Sequence, residues 1–157
     1  MITSKKIRAK TPRALVGWRE YVGFPDLDIP FVRAKIDTGA RTSALHATNL
    51  HHYDVGGEDW VRFTVPARKG RPEHRVEAPL AGVKKVTSSN GEAQRRFYIH
   101  TKMKIGSRIF SAEVTLTNRG QMGYAMLVGR TALLRRYNVD VAKSWVQGGG
   151  PTKEVSK

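Results

Sequence analysis

Asp37 closes a short apolar run and is followed at once by Thr38 and Gly39, within the stretch AKIDTGARTSALHA from Ala34 to Ala47. A carboxylate leaving a buried strand is costly unless it is hydrogen-bonded or put to use. Gly39 permits a backbone turn that a Cβ would obstruct. Such a turn can point successive N–H groups at the carboxylate, holding it ionised and oriented. Thr38 adds a short hydroxyl that donates or accepts in a confined space. The tripeptide therefore serves either a tight structural turn or half of an active site.

The other side chains with chemical potential are less organised. His46, His51 and His52, with His74 and His100 farther along, are the candidates for metal ligation. There is no His-Glu-x-x-His, and no cysteine to complete a zinc site. If residues 46–52 are extended, His46 and His52 share a face, but nothing fixes a third ligand. Ordinary strand and loop histidines explain the cluster, and no metal is expected. No Gly-rich phosphate loop of the Walker type is present, so ATP binding has no residue basis and no cofactor is expected. Trp18, Trp60 and Trp145 sit in strand-like apolar runs, which favours core or dimer packing over a stacking platform for nucleic acid.

The elements that must position Asp37 carry the punctuation of a β protein. ALVGWREYV (14–22) is expected as a first strand, turned by GFPDLDIP, and FVRAKI (31–36) delivers Asp37. SALHATNLHHYDV (43–55) and WVRFTVPA (60–67) follow as extended segments, and RKGRPEHR is a polar loop. VKKVT and RRFYIHTKMKI flank SSNG and form a hairpin, with Asn90 and Gly91 at the turn, where both residues can adopt positive φ. Phe97, Ile99, Met103 and Ile105 alternate along one strand, and Phe110, Ala112, Val114 and Leu116 along the next. Two consecutive period-2 runs predict paired antiparallel strands. AMLVGR then gives an apolar strand ending at Gly129-Arg130, TALLRRY (131–137) a short helix, and NVDVAKSWV a last strand.

Composition bounds the partners. The 157 residues hold 28 Lys and Arg against 13 Asp and Glu, so 28 − 13 gives +15. That balance favours polyanionic partners, although the charge is spread along the chain without an RNA-binding aromatic signature. The length fits one domain: a basic arm at 1–13, a β-barrel domain at 14–147, and a disordered tail at 148–157 after Gly148-Gly149-Gly150. The absence of cysteine suits a reducing compartment. No apolar run approaches a membrane span of roughly 18 residues. The basic N-terminus lacks the apolar region of a secretory signal, so a soluble, cytoplasmic protein with no membrane partner is expected.

DTGARTS between two apolar strands, with AMLVGR running into a helical segment downstream, resembles the retropepsin-like aspartic peptidases. GWREYVGFPDL, AKIDTGARTSALHA, TSSNG and TLTNRGQMGYAMLVGRTALL are similar to the bacterial RimK-associated branch of that family, and cover most of residues 16–134. Some members of that branch carry the label of an ATP-dependent zinc protease. The resemblance implies an all-β, closed-barrel fold of the acid-protease kind with one short C-terminal helix. It implies catalysis by Asp37, with Thr38 and Gly39 building the loop and Ala40, Ser43, Gly129 and Arg130 supporting it. Ser43 matches the Ser or Thr six residues after the aspartate in the family pattern. With one Asp-Thr-Gly loop per chain, a homodimer with its site on the two-fold axis is implied. Two carboxylates about 3 Å apart repel by roughly 5 kcal/mol at an effective dielectric near 20, so the pair shares one proton, as aspartic peptidases generally do. The ionised member would deprotonate water, and the protonated one would polarise the scissile carbonyl.

One departure stands out. Retroviral members often carry a second Asp four residues after the first, paired with the arginine of Gly-Arg; here that position is Arg41. Arg130 must then find Glu113, Glu20 or a backbone carbonyl instead. Arg41 is left beside the cleft, either bracing the loop or selecting acidic substrates such as glutamate-rich extensions. The hairpin bearing Asn90 and Gly91 is expected as the flap over substrate, or else as a plain surface hairpin. The implied partners are a peptide or protein substrate of acidic character, and a RimK-type glutamate ligase or a ribosomal protein. The competing function is a non-catalytic module whose basic surface docks on a ribosome, RNA or an acidic protein.

Overall fold

The computed structural model describes residues 11–88, 90–118 and 123–151. Residues 1–10 of the expected arm, 152–157 of the expected tail, Ser89 of the hairpin turn and residues 119–122 of the TLTNRGQMGYAMLVGRTALL motif lie outside the described residues. The described chain is mostly β. Its strands are β1 (Ala14–Val16), β2 (Arg19–Phe24), β3 (Ile29–Ile36), β4 (Ser43–His46), β5 (Thr48–Val55), β6 (Glu58–Val65), β7 (His74–Pro79), β8 (Gly82–Thr87), β9 (Ala93–Ile105), β10 (Arg108–Thr117), β11 (Met126–Val128) and β12 (Tyr137–Val139). One α-helix, α1 (Arg130–Leu133), and a single 3-10 turn at Pro25–Leu27 complete it.

The largest sheet runs β10-β4-β11-β3-β2-β9-β8, and β10 also pairs with β9. That extra pairing, from Arg108↔Ile105 to Thr115↔Tyr98, closes six strands into a ring and leaves β8 attached outside it. The alternation read in β9 and β10 is what makes the ring possible: Ile99, Met103, Ile105, Phe110, Val114 and Leu116 all turn inward and are buried. They join Val22, Phe24, Val32, Leu45, Met126 and Val128 in one cluster. Val61, Phe63, Val65 and Val76, from a second sheet of order β5-β6-β7, extend the same cluster. Each such side chain contributes about 1.5–3 kcal/mol by leaving water. Among the described residues no helix is long and apolar enough to cross a membrane.

Several expected boundaries give way to tertiary contacts. The expected strand 14–22 is two strands, because the chain crosses residues 143–144 at Gly17, where a Cβ would lie 2.0 Å from the Lys143 carbonyl oxygen. The expected strand 43–55 divides at Ala47, where β4 stays in the ring and β5 leaves for the second sheet. The expected polar loop 68–75 ends two residues early, since His74 and Arg75 open β7, whose Val76 and Ala78 are buried. Helix α1 has four residues rather than seven; Arg135 turns into the left-handed region at φ 68°, and Tyr137 begins β12. The expected last strand is only Tyr137–Val139, paired parallel with β1, and the chain then continues in bends past Arg19.

Candidate active site

Asp37 follows the last residue of β3 and lies between Trp18, which leads into β2, and the end of β11. The Ile36 N–H donates to the Trp18 carbonyl at 2.8 Å, and the Asp37 N–H to the Val128 carbonyl at 2.8 Å. Beyond it the chain turns: the Ala40 N–H donates to the Asp37 carbonyl at 3.2 Å. The Gly39 N–H donates to Asp37 Oδ1 at 3.0 Å, so the turn holds its own carboxylate. A Cβ on Gly39 would stand 3.3 Å from that same oxygen, the only group it would crowd.

The loop is then clipped to β11 and α1. Backbone N–H groups of Arg130 and Thr131 donate to the carbonyls of Ala40 and Arg41 at 2.8 and 3.1 Å. These are donors that a helix start otherwise leaves without partners. Arg130 Nη1 donates to the carbonyls of Thr38 and Gly39 at 3.2 and 3.1 Å. Of the three acceptors open to Arg130 in the sequence, the backbone is the one it takes; Glu113 meets Lys84 Nζ, and Glu20 is buried against other N–H groups. Ser43, 1% exposed, accepts the Gly129 N–H on Oγ at 3.1 Å, and its carbonyl accepts Thr115 Oγ1–H at 3.1 Å. Gly129 is required by space, since a Cβ there would sit 2.4 Å from the Thr42 carbonyl oxygen.

The loop opens on a cavity of about 810 Å³. Asp37, Gly39, Ala40 and Arg41 line it, whereas Ser43, Gly129 and Arg130 stand behind the loop and Thr38 is exposed beside it. The opposite wall is β8 and the start of the hairpin turn, from Lys84 to Ser88; Asn90 and Gly91 lie past this wall and do not line the cavity. Among the described residues Asp37 is the only carboxylate of the lining, which it shares with Arg41, Lys84, Lys85 and Arg96. Sequence reasoning missed Lys84, Lys85 and Arg96. The register of β8 on β9 sets Lys84 opposite Arg96 and Lys85 opposite Arg95, one step from the pairing that a two-residue Asn90-Gly91 turn would give.

The histidines are dispersed. His46 is buried at the end of β4, His52 Nε2 meets Asp59 Oδ1 at 2.8 Å, His51 stacks on Tyr53, and His100 lies edge-on to Tyr98. Among the described residues no three His, Cys, Asp or Glu side chains come together as a metal site.

Residues 15–149 match the model of the RimB-like family, described as retropepsin-like aspartic endopeptidase RimB. The chain belongs to that family. A protein of Desulfotalea psychrophila named "Probable alpha-L-glutamate ligase" is 37% identical over 147 residues, covering 92% of this chain and 31% of its own length. A protein of the same name from Shewanella pealeana is 37% identical over 145 residues, covering 91% and 32%. The chain thus spans about a third of the length of the curated relatives it matches. A solved structure from Legionella pneumophila, of a DUF785 protein of unknown function, aligns at a TM-score of 0.73 with 29% identity, covering 87% of this chain and 99% of that one.

Proposed function

We propose that this chain is one protomer of an aspartic-type peptidase, with its ring of strands acting as a closed acid-protease barrel. A second copy completes the centre by bringing its own Asp37 to a shared two-fold axis. One carboxylate takes a proton from water while the other, protonated, polarises the scissile carbonyl and then protonates the leaving nitrogen. Gly39 fixes the carboxylate, Thr38 braces the two loops across the axis, and Ala40, Ser43, Gly129 and Arg130 keep each loop seated. The observation that carries this reading is a carboxylate, held by the N–H two residues on, in a cavity whose other charged lining residues, among those described, are the cations Arg41, Lys84, Lys85 and Arg96.

Those cations support acidic substrates. Arg41 presents a fork of donors matched to carboxylates, and the hairpin of β8 and β9 covers the substrate as a flap. The relatives' printed name, together with their greater length, supports a glutamate ligase of RimK type as partner. Glutamate-rich extensions on a ribosomal or other cytoplasmic protein are the corresponding substrate. Purified wild type should sediment as a dimer and cleave a glutamate-rich peptide in the presence of a chelator. Asp37→Asn should remain dimeric and lose at least about a hundredfold in turnover. Retained turnover in that variant, or full activity in a monomer, would overturn the proposal.

A further inference from the structure

A second, smaller chamber of about 210 Å³ adjoins the Asp37 cavity, and Arg41 and Lys84 line both spaces. Ser111 and Glu113 of β10 and Thr131 and Arg136, from α1 and just beyond it, complete its polar lining. At about 30 Å³ per water the chamber has room for roughly seven, enough for one side chain and too little for a folded segment. Among the described residues the lining holds three cations, Arg41, Lys84 and Arg136, and one carboxylate, Glu113. Arg136 is occupied: its Nη1 donates to the Ala132 carbonyl at 3.3 Å, and its guanidinium carbon lies 4.3 Å from the centre of the Phe110 ring. Arg41 is exposed and, among the described residues, belongs to none of the ion pairs.

The remaining cation, Lys84, is paired with Glu113, and both side chains are partly buried. No backbone ladder enforces this pair. β8 pairs with β9 alone, so Lys84 reaches Glu113 on β10 through side chains only. Lys84 has a second hold, its Nζ lying 4.8 Å from the centre of the Tyr98 ring, which keeps the ammonium at the chamber if Glu113 lets go. We propose that Glu113 is a stand-in for substrate: in the free protein it occupies Lys84, and a glutamate side chain of the bound peptide displaces it. The exchange swaps one carboxylate for another at Lys84, gives Arg41 a partner it lacks, and returns the partly exposed Glu113 to water. An amide or an apolar side chain offers Lys84 nothing in return, so competition with Glu113 sets the selectivity for acidic residues. This inference rests on the reading of the Asp37 cavity as a peptide site and adds the residue that tunes what it accepts.

The test is fluorescence anisotropy of labelled hexaglutamate bound to the full chain carrying Asp37→Asn, so that binding is read without turnover. Adding Glu113→Gln should tighten binding about fourfold or more, because the internal competitor is gone. Glu77→Gln, an equal charge change at an exposed pair on β7, should shift it less than about 1.5-fold. Lys84→Gln should weaken binding about fivefold or more, and in its presence the gain from Glu113→Gln should shrink below about twofold. Hexaglutamine should not displace the probe. Thermal melts identify any variant that has lost its fold; Glu113→Thr repeats the test if Glu113→Gln has. A Glu113 that only braces the hairpin would leave binding unchanged or weaker on substitution. That result, an equal gain from Glu77→Gln, a gain undiminished by Lys84→Gln, or no binding at about 1 mM protein would each overturn the inference. Should these shifts hold while wild type cleaves no glutamate-rich peptide, the peptidase reading alone fails; should cleavage occur without the gain from Glu113→Gln, the inference alone fails.

Discussion

The loop from Asp37 to Thr42 and the hairpin of β8 and β9 border the same cavity, and the loop and the hairpin's tip are held in different ways. The loop hands the carbonyls of Thr38, Gly39, Ala40 and Arg41 to Arg130 and Thr131, elements some ninety residues away in sequence. The turn bonds within itself: Asn90 Oδ1 accepts from Ser88 Oγ and from the Glu92 N–H, and the Gly91 N–H donates to the Ser88 carbonyl. Displacing the loop would break long-range bonds and expose Ser43, whereas the bonds among Ser88, Asn90, Gly91 and Glu92 are all local. A fixed acid beside a hairpin tip bonded only locally would suit the flap proposed above.

The sharpest way to break this contrast is Gly129→Ala. Its Cβ would meet the Thr42 carbonyl oxygen at 2.4 Å and the carbonyl carbon at 2.5 Å, so the loop must leave its seat. A loss of about 3 kcal/mol in urea unfolding is expected, together with loss of hydrolysis; wild-type stability would mean the loop is not rigidly seated. Ser43→Ala should cost about 1–3 kcal/mol by stranding the buried Gly129 N–H. On the other side of the comparison, Gly91→Ala meets no atom within 4 Å and is penalised only through its φ of 87°, about 1 kcal/mol. Its melt should move little while peptide KM changes; an unchanged KM would make the hairpin a plain surface feature.

The smallest effect appears only in alkali. Burial pushes the Tyr137 phenol from its ordinary value of 10.0 up to about 12, and its hydroxyl donates to the Ile105 carbonyl at 2.9 Å. The unfolded chain therefore releases this proton first, and stability present below pH 10 is lost as pH rises towards 12. Tyr137→Phe should flatten that decline in unfolding curves taken across the window, at a cost of about 1 kcal/mol near neutrality.

What could be read from the chain was local, and what could not was set by distant partners. Alternation in β9 and β10 and the hairpin of β8 on β9 are nearest-neighbour information, and both are present, although the register Thr87↔Ala93 and the Gly91 N–H bond to the Ser88 carbonyl do not centre the turn on Asn90-Gly91. The breaks at Gly17 and Ala47 answer to residues 143 and 117, which no window around them contains. β7 escaped notice because its two buried residues, Val76 and Ala78, sit between charged neighbours in a segment rich in turn formers. At the site, the Asp-Thr-Gly turn was legible, as was the need of Arg130 for a new acceptor. That the acceptor is the loop's own backbone was not, because carbonyl direction is a property of the folded turn.

Glu20 has a bearing on how the molecule is made. Its carboxylate, sealed from water, is satisfied by N–H groups of Gly17, Val146 and Gln147, the last separated from it by 127 positions. During vectorial synthesis the first strands emerge long before those amides exist, and an unsatisfied carboxylate resists enclosure. Completion of the early edge is thereby deferred until residue 147 has left the exit tunnel.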